Sequence, residues 1–181
     1  YHIIGGSRLQ AANISENFPN MYLQSSFVLQ APSASLPPGY RMPIGISRRG
    51  SFAWANNIPV LQADIIAANG VIHRVARVIA PPSQVIAQIA AGNPDLTYLM
   101  AALARADAGP PAGAPKLIPI LSNAAANLTV FAPTNQAFKN LLTALNLPTD
   151  ITTIQALPTE QVWGIVAYHV LGVRALAANR R

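Results

Sequence analysis

A chain of 181 residues, 51% of them apolar, is long enough to bury a core and too apolar to be a disordered tail. It has no cysteine, which excludes disulfides, thiolate nucleophiles and cysteine-based metal sites. The formal charge of +6 rests on 10% charged residues, scattered except at Arg48-Arg49 and Arg180-Arg181, so nucleic acid is not an expected partner, whereas acidic glycans and cell surfaces fit the general charge.

The segment from Tyr1 to Pro82 reads as strands and loops. Met21 to Gln30 has the two-residue rhythm of a strand, and Ala31 to Pro43, with four prolines and one glycine, reads as a loop. Ser51 to Ala63 reads as extended, with Pro59 marking an edge or a bulge. Asn69-Gly70 separates two apolar stretches and predicts a tight turn at positive φ, with the end of a helical turn as the competing reading. Val71 to Ile79 is rich in β-branched residues and predicts a strand that Pro81-Pro82 ends.

From Ser83 the texture turns helical. Asn93 is placed to cap, Pro94 to occupy the first helical position and Asp95 to complement the positive helix end, with Leu96, Leu99, Met100 and Leu103 as the apolar stripe. Ala108 to Pro115 holds three prolines and two glycines and predicts a loop; Leu128 to Ala132 predicts a short strand. Thr134 is read as the cap of a helix with stripe Phe138, Leu141, Leu142 and Leu145, and a last helix from Pro158-Thr159 has stripe Val162, Ile165, Val166, His169 and Val170. Strands first and helices second argue for an α+β fold. No apolar run reaches the length of a membrane span; the best, Trp163 to Val173, is broken by Tyr168 and His169. Tyr1 to Gly6 lacks the basic stretch and cleavage site of a signal peptide, so the expected form is mature, excised or incomplete.

The two ends repeat each other. Tyr1-His2-Ile3-Ile4-Gly5 returns 167 residues later as Tyr168-His169-Val170-Leu171-Gly172. With one residue of slippage, Leu9 and Ala11-Ala12-Asn13 match Leu176 and Ala177-Ala178-Asn179.

Three segments resemble the fasciclin family. Thr129-Val130-Phe131-Ala132-Pro133-Thr134-Asn135-Gln136-Ala137-Phe138 is similar to its first signature, Tyr168-His169-Val170-Leu171 to its tyrosine-histidine motif, and the run from Ala63 through Val75 to its closing motif. The resemblance covers nearly the whole chain and implies a fasciclin-like β-sandwich or wedge with a helical layer. The order is permuted or split: residues 1–82 resemble the C-terminal half of one fasciclin domain, and residues 83–181 the N-terminal half of the next. Either half alone would expose strand edges and an apolar face. Three resolutions stay open: pairing within one chain, completion of one chain by another, or a place in a longer multidomain protein.

The resemblance implies an extracellular or cell-surface adhesion or structural protein that acts by protein–protein contacts. It would be a self-assembling filament subunit in which one chain completes the next. The expected partners are other copies of itself and cell-surface or matrix proteins or glycans. The interaction candidates it gives are Tyr168 and His169, their repeat counterparts Tyr1 and His2, and Asp64 with Ile65, which match an aspartate-isoleucine pair central to the family's other adhesive motif. The plainer reading makes His169 a satisfied core histidine, Asp64 a turn cap and Ile65 core. Phe131 and Phe138 are read as core, Trp54 and Trp163 as packing residues, and His73 as a strand residue whose neighbours Arg74 and Ala76 depart from the family pattern. Asn13-Ile14-Ser15 and Asn127-Leu128-Thr129 fit the N-glycosylation acceptor.

The chain has three histidines, two of them copies of one motif, and no nucleophile elbow, phosphate loop or zinc spacing, so no enzyme activity, cofactor or metal is expected. The alternative function is a carrier of an apolar small molecule such as a carotenoid, held in a groove lined by the alanine-rich helices.

Overall fold

The computed structural model describes residues 1–16, 21–28 and 39–175. The fold is α+β, and the chain divides into two compact units between Pro82 and Ser83, with the described residues from Val173 grouped with the first.

The sheet unit is an antiparallel meander of β1 (Met21–Val28), β2 (Arg41–Arg49), β3 (Phe52–Ala55), β4 (Ile58–Ala67) and β5 (Gly70–Val75), in that spatial order. From β2 to β5 short turns dictate this topology, because a tight hairpin joins antiparallel neighbours. Between β2 and β3 the turn uses Gly50 at φ 57, and between β3 and β4 it uses Asn56 at φ 49, both in the left-handed region that glycine and asparagine tolerate best. The turn at Asn69-Gly70 differs from its expected form. Ala67 pairs with Gly70, so Ala68 and Asn69 make the loop, Gly70 opens β5, and neither Asn69 nor Gly70 has positive φ.

Strand β2 begins inside the stretch expected to be a loop up to Pro43. Pro43 sits opposite Gln24, next to a bulge where the register shifts between Gln24 and Val28, so the ladder loses a donor where pairing is already interrupted. Residues 29–38 of the expected strand end and loop lie outside the described residues. Strand β5 stops at Val75, short of the expected Ile79.

One face of the sheet carries Ile44, Ile46, Ala53 and Ala55, which are buried with Ile14 and Ile79. The N-terminal segment crosses this unit and is held by polar contacts along its length. Arg8 donates to the Ala68 carbonyl (2.6 Å), Arg48 donates to the Ala11 carbonyl (3.0 Å), and the Asp64 carboxylate accepts from the Ala11 N–H (2.9 Å). Among the described residues, the buried hydroxyls of Tyr22 and Ser47 have no hydrogen-bond partner. Burial pushes the Tyr22 phenol above its ordinary value, while the Arg174 guanidinium, 5.6 Å from the ring centroid, pulls it the other way.

The helical unit contains α1 (Ile86–Ala91), α2 (Thr97–Ala108), α3 (Leu117–Leu121), α4 (Asn135–Ala144), α5 (Ile151–Ala156) and α6 (Thr159–Tyr168). It also holds a two-stranded ladder of β6 (Thr129–Val130) and β7 (Val170–Leu171). Helix α2 is its axis. Leu99, Ala102, Leu103 and Ala106 fall at three- and four-residue spacing and are all buried. The alanines allow close approach to α6, its main packing partner. A Cβ on Gly109 would sit 3.0 Å from Thr159 Oγ1, a tight contact at the start of α6 to which the Thr159 side chain would have to yield.

Polar side chains tie the short elements to this axis. The Asp107 carboxylate accepts from the N–H groups of Leu117 and Ile118 at 2.6 and 2.9 Å, satisfying the exposed donors at the start of α3. Asn135 Oδ1 accepts from the Tyr98 N–H, and Trp163 Nε1 donates to the Pro115 carbonyl. Asn93 caps the turn Pro94–Leu96 and Thr134 caps α4, as their positions imply. The predicted stripes are narrower in the structure. Phe138, Leu142, Val162 and Val166 are buried, whereas Leu141, Leu145 and Ile165 are exposed.

Candidate functional site

The repeated tyrosine-histidine segment occurs once in each unit and is held differently in each. In the sheet unit the Tyr1 hydroxyl donates to the Pro43 carbonyl (2.7 Å) and accepts from Asn56 Nδ2 (2.9 Å), and its ring meets Phe27 edge-on. His2 Nε2 accepts the Ile79 N–H at 2.9 Å, which places the proton of the neutral ring on Nδ1. Ile4 bridges Ser25 on the outer edge of β1, and the Ser26 N–H donates to the Ile3 carbonyl (2.6 Å). Ile4 packs against the sheet core, but Ile3 is 67% exposed.

In the helical unit the same five residues close α6 and form β7. His169 Nδ1 bonds to the Ile165 carbonyl at 2.8 Å and can only donate there, so the neutral ring keeps Nε2 as an acceptor, as in His2. The Phe131 N–H donates to the His169 carbonyl (2.9 Å), Val130 pairs with Val170, and Thr129 pairs with Leu171. Val130 and Val170 pack on the helical core, so strand alternation turns Phe131 and Leu171 to the opposite side. They are 45% and 38% exposed, and Tyr168 is 88% exposed. Phe131 therefore does not belong to the core as expected. His169 is half-buried at the C-terminal end of α6 rather than on a buried stripe.

The two settings are complementary. Ile3 corresponds to Val170 and Ile4 to Leu171; the position exposed in one unit is packed in the other. The edges divide in the same way. Consecutive carbonyls of a strand point to opposite edges. Ile3 uses its carbonyl toward β1, whereas His169, the counterpart of His2, uses its carbonyl toward Phe131.

Asp64 stands in β4 at φ 57, where the β4–β5 register shifts between Gln62 and Ile65. Its N–H donates to His73 Nδ1 (3.3 Å), so the His73 proton lies on Nε2 and is directed at the Leu9 carbonyl (2.7 Å). With the Ala11 contact already described, Asp64 and His73 form a clasp over residues 9–11. Ile65 is not core; it is 36% exposed. Tyr1, His2, Asp64 and Ile65 lie in the sheet unit, and Tyr168 and His169 in the helical unit. Asn13 and Asn127 are exposed. Leu176 to Asn179, the second arm of the repeat, and Arg180-Arg181 lie outside the described residues.

The sequence alone did not single out Phe131 and Leu171 as surface residues. The signal was present: Val130 and Val170 are the apolar positions that face the helices, and period-two alternation sends their neighbours outward. Among the described residues no group of three or more histidine, cysteine, aspartate or glutamate side chains is placed to hold a metal. No helix among them is long and apolar enough to cross a membrane.

A cavity of about 420 Å³ opens against the sheet core, lined by Ile44, Ile46, Trp54, Val60, His73 and Ile79 among others.

Residues 112–180, a stretch that includes α3 through β7, match the fasciclin domain model. No curated protein matches the chain. Among solved structures it is similar to a fasciclin domain pair from the insect cell adhesion molecule fasciclin I, at 17% identity and a TM-score of 0.39, over 91% of this chain. The chain spans about half of that structure, covering 51% of it.

Proposed function

We propose that the chain is part of an extracellular adhesion or structural protein that works through protein–protein contacts rather than catalysis. The observation that carries this is the outward apolar face of Tyr168, Phe131 and Leu171 within the segment that matches the fasciclin domain. An aromatic, apolar patch with a hydroxyl at its tip suits burial against another protein, since such residues dominate interface energetics. Cell-surface or matrix proteins and glycans are its partners, together with other copies of the chain, and its place is secreted or on the cell surface. In the finer form of this proposal one chain completes the fasciclin fold of the next, and repetition of that contact builds a filament. The test is attachment of cells to surfaces coated with the chain. Unaltered protein is expected to hold cells well above an inert coat, and Tyr168→Ala to lose several-fold of that attachment. Attachment no better than the inert coat would remove the adhesive reading.

The cavity on the sheet unit favours a second reading, a carrier of an apolar small molecule. Its walls belong to the sheet and the N-terminal segment, not to the helices that the sequence pointed to. Saturable uptake of an apolar fluorophore, lost in Ile46→Asp, would support it; linear, non-saturable uptake would count against it.

A further inference from the structure

We infer that Tyr168–Gly172 of one chain docks on the outer edge of β1 of a second copy, in the seat that Tyr1–Gly5 holds here, so that β6, β7 and the five-stranded meander form one continuous sheet. This deepens the assembly reading above and rests on it.

The inference comes from the repeat. One strand sequence appears twice, and each copy has half of its surface satisfied. In the sheet unit its β1-facing edge and the side bearing Ile4 are used, and Ile3 is left at 67% exposure. In the helical unit the opposite edge and the side bearing Val170 are used, leaving Leu171 and Tyr168 outward. A strand placed between β6 and β1 would satisfy both edges and bury both sides. The seat is already shaped for this motif. The Pro43 carbonyl and Asn56 amide that bind the Tyr1 hydroxyl would bind that of Tyr168, and the Ile79 N–H that His2 accepts would meet the free acceptor of His169. Exchange of Tyr1–Gly5 for Tyr168–Gly172 therefore replaces like with like at the seat. The driving force is the additional burial of the apolar face of the incoming helical unit.

Charge argues for this pairing over the contact of two sheets or of two helical units. Residues 1–82 hold six arginines against Glu16 and Asp64, a formal +4. Residues 83–172 hold Arg105, Lys116 and Lys139 against Asp95, Asp107, Asp150 and Glu160, a formal −1. Sheet-to-helix contact avoids setting two basic surfaces together. It is also heterologous, so it propagates unless a ring closes.

The absence of cysteine makes paired cysteines a clean test. Leu171 takes the place of Ile4, and Ile4 faces Ser25. In that register the pair is a non-hydrogen-bonded one, where strands come close enough for a disulfide. Ser25→Cys with Leu171→Cys is expected to give a ladder of disulfide-linked chains on mild oxidation. Ile4→Cys with Ser25→Cys is expected to close within one chain and verifies the register of the seat. Unlinked monomer from the first pair, or a bond that closes within one chain, overturns the inference. If the cysteine variants do not fold, sedimentation of the unaltered chain from low to high micromolar decides. A rising mass that Tyr168→Ala weakens about tenfold or more supports the docking, and a constant monomer overturns it. Cell attachment without a ladder removes this inference and leaves the adhesive reading; a ladder without attachment does the reverse.

Discussion

The helical unit and the sheet unit solve the same packing problem with different completeness. Helix α2 supplies a stripe of fully buried leucines and alanines around which five other helices close, and side-chain bonds from Asp107, Asn135 and Trp163 tie the start of α3, the start of α2 and the loop at Pro115 to the rest. The sheet unit buries small residues such as Ala53 and Ala55 beside two isoleucines of β2, relies on an irregular N-terminal segment for cover, and keeps a cavity against its core. A helix bundle can enclose a core by itself, because each helix brings its own backbone partners. An open sheet of five strands has two edges and two faces, and this one is covered in part by the N-terminal segment.

The largest effect that sharpens the contrast is in the cores. Leu103→Ala is expected to destabilise the helical unit toward the upper end of about 2–5 kcal/mol, because its surroundings are close-packed. Ile44→Ala, beside an existing cavity, is expected near the lower end of the same range for the sheet unit. Denaturant melts followed by Trp163 and Trp54 fluorescence separate the two, and the reverse order would break the comparison.

A smaller effect separates the two tyrosines. Tyr1→Phe loses two hydrogen bonds and is expected to cost the sheet unit about 1 kcal/mol, whereas Tyr168→Phe in dilute protein is expected to stay within about 0.5 kcal/mol of the parent. Equal costs would mean that Tyr168 already has a seat.

The smallest effect concerns pH. Burial raises the Tyr22 phenol in the folded sheet unit, so the proton is held more tightly there than in the unfolded chain. Its contribution is therefore fully present below the unfolded value near 10 and is lost as pH rises through the higher folded value. Alkaline melts of the sheet unit should fall in that window, and Tyr22→Phe should flatten the fall. An unchanged slope would assign the loss elsewhere.

Much of the helical unit was legible in the sequence, because its signals are local. Asn93 and Thr134 cap where their spacing says, and Leu99 and Leu103 lie where the stripe puts them. The short helices α3 and α5 were not. Pro119 lies inside the first, and Thr152 and Thr153, both poor helix formers, inside the second, so packing outweighs propensity in both, joined at α3 by the Asp107 cap. In the sheet unit the strands were legible, but their ends were not. Pro43 masks the start of β2, and the shift at Asp64 reverses the alternation that would have told which side Ile65 faces. Of the candidate site, the two copies of the tyrosine-histidine strand were visible as a repeat. Which half of its surface each copy leaves open was not, because that depends on partners distant in sequence.

The central claim is that the tyrosine-histidine strand is half-used in each unit and becomes fully used between chains. It is tested most directly by residue-resolved amide hydrogen exchange at Val170, whose N–H points away from β6 by the alternation of the ladder. The account predicts fast exchange at Val170 in dilute protein and strong protection in concentrated protein. Exchange at Val170 that is the same at both concentrations would contradict it.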